Sequence, residues 1–330
     1  MKKSCKIKIV LLPVLFILLA GIFEPLCAQK NIEFNKNDIV PIDSNYFSKD
    51  RLNGRVLLVT GGARGIGRAA AIRAAREGAS VVIGDWLAQQ GEATAQYIRK
   101  EGGKALFVKT DIRSTDDCNK LVAEGVKKFG KIDIALLNAG VMDGTFSGDP
   151  FDYDKQKELL PNSVDAASDK YWDNVMEVNA TGTFKSMRAV VRQLLLQGKG
   201  GAIVTVGSIA GLTGLAGNPA YVASKHAVNG LTRSAAIDYA PYGIRVNSVN
   251  MAATATPMTN KAFDFVKEVK KRGIKGMGGA KTESLLMMND SKHRMATVWE
   301  QASVILFLLS DEASNLTGAL YPTDGGWTAY

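Results

Sequence analysis

The sequence predicts an α/β fold, a single domain built on a doubly wound sheet of about seven parallel strands with helices on both faces. Three observations predict it. From Arg51 onward, short apolar runs alternate with longer helical stretches, the order that yields parallel strands joined by crossover helices. A glycine-rich turn joins the first of these runs directly to an alanine-rich helical stretch. Four polar residues, Asp85, Asp111, Asn138 and Ser208, each stand at the end of a candidate strand. In an open parallel sheet the carboxyl ends of the strands form one ligand-binding edge, so all four belong to it.

The chain has 330 residues, 46% hydrophobic and 22% charged, with a net charge of +9. That composition suits a large globular core. The basic residues are spread out, with no aromatic-interleaved patch of the kind nucleic acid would require, and read as solvated surface. Lys2, Lys3, Lys6 and Lys8 precede an apolar run from Ile9 to Phe23, interrupted by Pro13 and Gly21 and followed by Leu26-Cys27-Ala28. A basic start, an apolar run and a small residue are the layout of a secretory signal peptide over residues 1–28, cleaved near Ala28. The run falls short of the roughly 20 residues of a membrane span, although an uncleaved anchor is the alternative. The expected location is periplasmic or secreted, or membrane-anchored without cleavage. Cleavage would leave Cys118 as the one cysteine, unable to form an internal disulfide. His226 and His293 are the only histidines and stand far apart, so no metal site is expected. Residues 29–50 are polar and mixed, a linker or a packed arm, and the domain proper is 51–330.

Residues 55–60 form the first candidate strand, continuous and rich in β-branched side chains. Gly61-Gly62-Ala63-Arg64-Gly65-Ile66-Gly67 follows, then a helix from Arg68 to Glu77 stopped by Gly78. Strand, glycine turn and helix form the setting of a Rossmann-type dinucleotide site. Glycines let the backbone approach a pyrophosphate, which sits at the helix N-terminus. The turn residues Gly61, Arg64, Gly65, Ile66 and Gly67 are therefore candidate cofactor contacts. The second strand, 80–84, ends at Asp85, roughly 20 residues beyond the glycines, where a carboxylate binds the ribose hydroxyls of NAD. The same charge would repel the 2′-phosphate of NADP. Arg64 can accompany NADP, but Asp85 outweighs it because a carboxylate beside a phosphate dianion is costly.

The remaining candidate strands are 104–109, 132–137, 201–207, 243–249 and 318–322. Between the fifth and sixth, Tyr221 and Lys225 stand four residues apart on one helix face, with Ser208 thirteen residues before the tyrosine. An ammonium beside a phenol favours the phenolate and is expected to lower the tyrosine pKa from about 10.

These motifs in this order resemble the short-chain dehydrogenase/reductases over about residues 51–330. The resembling residues are Thr60-Gly61-x-x-x-Gly65-Ile66-Gly67, Asp111-Ile112, Asn138-Ala139-Gly140, Asn179, Ser208, Tyr221, Lys225, Thr317-Gly318-Ala319 and Asp324-Gly325-Gly326. The resemblance implies hydride transfer between NAD(H) and a secondary alcohol or ketone, with a steroid-like or alicyclic substrate as one option. It implies Tyr221 as general acid/base, Lys225 on the nicotinamide ribose, Ser208 on the substrate oxygen and Asn179 on a relay water. It places Asp111 and Ile112 at the adenine, Asn138, Ala139 and Gly140 along the cofactor, and Thr256 at the carboxamide. A dimer or tetramer is usual in the family. Met251-Ala252 replaces its Pro-Gly, which would be costly if φ at Ala252 were positive. The stretch between Asn138 and Trp172, with Phe146, Phe151 and Tyr153, is longer than usual. Residues 257–297 are expected to form a substrate lid rich in methionine (Met258, Met277, Met287, Met288, Met295), with Gly276, Gly278 and Gly279 as hinges. The alternatives are an NADPH-dependent 3-oxoacyl carrier-protein reductase, which Asp85 opposes, and a non-catalytic dinucleotide-binding protein.

Overall fold

Continuous β-branched and leucine-rich segments can bury both faces, and here they do so in one parallel sheet. The computed structural model of the protein describes residues 39–145, 151–274 and 283–329. The expected leader, Phe146, Met277 and the glycines 276, 278 and 279 lie outside these residues. Along the chain run β1 (Val56–Thr60), α1 (Gly65–Arg76), β2 (Ser80–Asp85), α2 (Ala88–Lys100), β3 (Lys104–Lys109), α3 (Thr115–Phe129) and β4 (Ile134–Leu137). Then follow α4 (Tyr153–Gln156), α5 (Asp169–Met176), α6 (Thr183–Gln197), β5 (Gly201–Val206), α7 (Pro219–Tyr239) and β6 (Ile244–Met251). The last are α8 (Pro257–Lys271), α9 (Leu285–Asn289), α10 (Val298–Leu309) and β7 (Leu320–Thr323).

The seven strands are all parallel, in the order β3-β2-β1-β4-β5-β6-β7. The winding reverses between β1 and β4, which opens a crevice at the carboxyl edge. Alternate strand residues feed two cores. Leu57, Val59, Val81 and Ile83 pack with α1 and α10, whereas Leu58, Val82, Ala135 and Ile203 pack with α3 and α6. Every expected strand forms, with shifts of one or two residues at the ends. β6 runs on to Met251 because Asn250 and Met251 pair with Pro322 and Thr323. β7 starts late because Gly318 turns the chain at φ 75°.

Residues 39–50 form a largely exposed arm held to the domain by a few contacts. Arg76 donates to the Ser44 carbonyl, and the Tyr46 ring lies 5.1 Å from the Arg73 guanidinium carbon. At the end of α1 the fully buried Glu77 accepts from Ser48 N on the arm, from Arg51 just after it and from Arg73. At the other end of the arm, Ile39 donates to Asp290 and accepts from Arg294. Among the described residues, no helix is long and apolar enough to cross a membrane.

Candidate active site

The glycine turn is held against β4 and β2. Asn138 and Ala139 donate their backbone N–H groups to Thr60 Oγ1, and Asn138 Nδ2 donates to the Gly61 carbonyl at 2.8 Å. Gly61 has φ 70°, and a Cβ there would stand 2.8 Å from Ala139 Cα. A Cβ at Gly67 would lie 2.2 Å from the Gly61 carbonyl oxygen, so side chains at either position would prise α1 from the turn. Among the described residues no side chain caps the N-terminus of α1, which leaves its first N–H groups for an anion.

Asp85 ends β2. One carboxylate oxygen accepts from Ala63 N and the other from Leu87 N, both at 2.9 Å. Burial pushes its pKa above the ordinary value, while those amides and the nearby Arg64 charge pull it back. Asp111, beyond β3, is gripped by the Arg113 guanidinium at 2.6–3.0 Å, which holds its carboxyl below the usual range. Ile112 seals against Gly182, where a Cβ would meet it at 2.7 Å. Asn138, Ala139 and Gly140 line the same cavity as the turn, Asp85, Asp111 and Ile112.

Pro at the start of α7 suits its first turn, and the helix brings Tyr221 and Lys225 one turn apart into the interior, 8% and 5% exposed. Lys225 Nζ donates to the Val206 carbonyl at 2.8 Å and lies 5.6 Å from the Tyr221 ring centroid. Ser208, after β5, accepts from Ala210 N through its hydroxyl. Its own N–H donates to Asn250 Oδ1, which also accepts from Asn229, and Asn229 accepts from Ser248. This buried amide network had a sequence signal, the polar residues Asn247, Ser248 and Asn250 inside an otherwise apolar strand.

Asn179 sits in a π-helical turn, Glu177–Gly182, between α5 and α6. Such a widened turn redirects side chains and recurs at functional sites. Asn179 accepts from Val141 N and donates to the Val141 carbonyl and Ser224 Oγ. It therefore clamps the loop after β4 to α7. A Cβ on Gly140 would stand 3.1 Å from Asn179 Oδ1 and 3.5 Å from Lys225 Nζ, so the two polar groups flank that glycine.

The expected lowering of the Tyr221 pKa is corrected here. Burial of the phenol dominates and raises it, opposed by the Ser208 hydroxyl. Burial also pushes the Lys225 pKa down to about 8. Between about pH 8 and 10.5 the folded lysine is neutral while the unfolded one is still charged, so the unfolded state binds more protons. Lys225 thus makes stability rise with pH across that window. Lys225→Met should abolish this rise: wild type gains on the variant between pH 8 and pH 10 in urea denaturation. A constant difference between the two proteins would refute it.

The cavity, about 390 Å³, continues from the glycine turn past Ser208 and Tyr221 to α8. Thr256 caps α8, accepting from Thr259 N, and its methyl would lie 3.5 Å from a Cβ on Gly65. It therefore faces the turn. Ala252 does not have positive φ, so its methyl is accommodated where the family has glycine. The α8 wall is aromatic and aliphatic more than methionine-rich: Phe265 and Val269 pack with Leu160, Phe151 and Tyr153. Of the described methionines in residues 257–297 only Met258 lines the cavity; Met287 and Met288 lie on α9, and Met295 stands outside the lining. Arg272 pairs with Asp154 and Lys261 with Asp143, tying α8 to the long stretch after β4. Trp327, 7% exposed, adds a wall that the sequence reading missed, because the resembling motif stops at Gly326.

A turn that only glycine can line, an acid closing β2 and a buried Ser–Tyr–Lys cluster on one sheet edge define a dinucleotide-dependent oxidoreductase. The short chain dehydrogenase family matches residues 55–267, and the chain belongs to it. It is similar to a 3beta-hydroxysteroid dehydrogenase of Mediterraneibacter gnavus, 38% identical over 289 residues, covering 86% of this chain and 98% of the relative. A cyclohexanol dehydrogenase of Acinetobacter sp. is 34% identical over 280 residues, 85% of this chain and 97% of that one. Among solved structures, carveol dehydrogenase from Mycobacterium avium in complex with NAD superposes with a TM-score of 0.72 at 26% identity, covering 86% of this chain and 100% of that chain.

Proposed function

We propose that the protein oxidises cyclic secondary alcohols to ketones with NAD and catalyses the reverse reduction. The observation that carries this is the buried Ser208–Tyr221–Lys225 cluster at the junction of the glycine-turn crevice and an apolar cavity. The fit to a dinucleotide rests on the close approach at Gly61 and Gly67, the uncapped start of α1 and the Asp85 carboxylate. NAD, when bound, supplies the two-electron hydride chemistry. Asp85 would hold ribose hydroxyls, with Asp111, Ile112 and residues 138–140 along the rest. Lys225 would reach the nicotinamide ribose and Thr256 the carboxamide.

Tyr221 takes the proton from the alcohol oxygen during oxidation and returns it in reduction. Ser208 donates to that oxygen and steadies the developing charge. Lys225, as a cation, works against the burial that keeps the phenol protonated. Asn179 fixes the spacing between the loop after β4 and α7, so that these groups converge. Apolar walls exclude water and favour a ring over an acyclic polar substrate. Purified protein assayed with NAD and NADP against cyclohexanol, cyclopentanol and 3β-hydroxysteroids tests this reading. NAD-dependent turnover is expected; tight NAD binding with no turnover would favour the non-catalytic alternative.

The basic-apolar-small layout of residues 1–28 supports export with cleavage after Ala28. The intact mass of the protein recovered from its native cells should correspond to a start at Gln29; a retained leader would sink cleavage. Family likeness and the exposed Phe184, Leu196 and Ile237 support a homo-oligomer, checked by light scattering.

A further inference from the structure

The lid helix places one charge where its other cavity-facing residues are apolar or uncharged. Met258, Ala262, Phe265 and Val269 line the cavity from α8, spaced three or four residues apart, with Pro257 and Val266 beside them. Lys261 sits in the same stripe and lines the same wall. Its ammonium lies 3.0 Å from Asp143 Oδ2 and donates to Asp143 Oδ1 and Thr145 Oγ1. Asp143 also accepts from the N–H and the hydroxyl of Thr145. The two charged side chains are only 6% and 16% exposed. Removing two ions from water is costly, and an apolar pair of similar volume would hold α8 in place at no greater cost. The pair is thus an expensive choice for a simple latch. Its position on the cavity wall gives it a second use.

We propose that Lys261 and Asp143 form a second polar subsite of the substrate cavity, which receives a neutral oxygen function, hydroxyl or carbonyl, on the ring substrate away from the reacting carbon. Lys261 donates to that oxygen in exchange for one of its present acceptors, and Asp143 accepts from it when it is a hydroxyl. Because Asp143 compensates the lysine charge, a carboxylate at the same place meets a like charge and is disfavoured. The reacting oxygen at Ser208 and Tyr221 and the remote oxygen at Lys261 would then fix both ends of the substrate, while the Phe265–Leu160 wall holds the apolar body between. This inference rests on the ring-alcohol reading above and adds which ring alcohols are preferred.

The test is a ratio of specificity constants for paired substrates: cyclohexanol against 1,4-cyclohexanediol, and 5α-androstan-3β-ol against its 17-oxo and 17-hydroxy derivatives. A site that hydrogen-bonds a substrate oxygen rejects the analogue lacking it strongly, so in at least one pair the wild type should favour the oxygenated member by about tenfold or more in kcat/KM. Lys261→Met should bring that ratio close to one, whatever it does to the absolute rates. Asp143→Asn should lower the preference for the 17-hydroxy over the 17-oxo steroid and raise turnover of 4-hydroxycyclohexanecarboxylate relative to cyclohexanol. The double variant Lys261→Met/Asp143→Leu avoids leaving either charge alone and keeps the comparison available if the single variants fold poorly. A wild type with no preference in either pair overturns the subsite, as does an equal loss on both members in every variant. Absence of turnover with all ring alcohols would instead overturn the proposed function.

Discussion

Tyr221→Phe is expected to lower kcat by roughly a thousandfold, within the 10²–10⁴ range typical of a lost general acid–base. The substitution isolates chemistry from packing. The Tyr221 ring belongs to a small core with Tyr171, Val175, Ala210 and Ala220, and phenylalanine keeps that ring in place. What disappears is the hydroxyl, whose neighbour is Ser208. The crevice lined by Gly61, Gly65 and Asp85 is untouched, so NADH binding, followed by fluorescence titration, should change little. Loss of turnover with retained binding assigns the proton transfer to this phenol. Turnover within a few-fold of wild type would refute that assignment and with it the mechanism.

Glu77→Ala is expected to destabilise the protein by about 3–5 kcal/mol, the range for breaking a buried ion pair by removing one partner. Glu77 is fully buried, and its carboxylate accepts from Arg51 Nε at 2.7 Å, Arg51 Nη2 at 2.8 Å, Arg73 Nε at 2.9 Å and Ser48 N at 3.1 Å. The two guanidinium groups are 9% and 3% exposed. Without the acid they would be left as two like charges with little water. Glu77→Gln keeps acceptor geometry but not the charge, and should cost less than alanine. Urea denaturation of both variants reads the effect. A loss below about 1 kcal/mol for alanine, the usual scale of an exposed pair, would show that the arm or water relieves the arginines. The same cluster ties residues 48–51 to the end of α1, so trypsin should also cut the arm faster in the variant.

The strands, the glycine turn and the spacing of Tyr221 and Lys225 were legible in the chain because each is a local pattern. A continuous apolar run, a glycine at a forced turn or an i, i+4 pair depends on residues close in sequence. The order in which Asp85, Asp111, Asn138 and Ser208 follow strand ends was enough to bring them to one edge, and all four line the cavity. The roles assigned to Asn179 and Thr256 came from family likeness; the structure adds the π-helical turn that carries the asparagine and the helix cap made by the threonine.

Other properties depend on what lies across the fold. The charge spacing of Tyr221 and Lys225 suggests a lowered phenol pKa, yet the direction reverses because both groups are buried, and burial is set by every element packed around α7. A methionine-rich lid was a statement of composition; which residues face the cavity was decided by how α8 rotates against Leu160 and Phe151. Arg51, Arg73 and Glu77 read as ordinary surface charges until the arm folds over α1, and Lys261 reads as one of many lysines until the chain after β4 brings Asp143 beside it. Sequence by itself determined the α/β sheet and the dinucleotide edge, because backbone propensity and short-range spacing suffice for these, and its likeness to a family gave the kind of chemistry. Tertiary structure alone decided the ionisation of the site, the shape of the cavity and its second polar end. Desolvation and long-range pairing are sums over neighbours that the linear order does not place together.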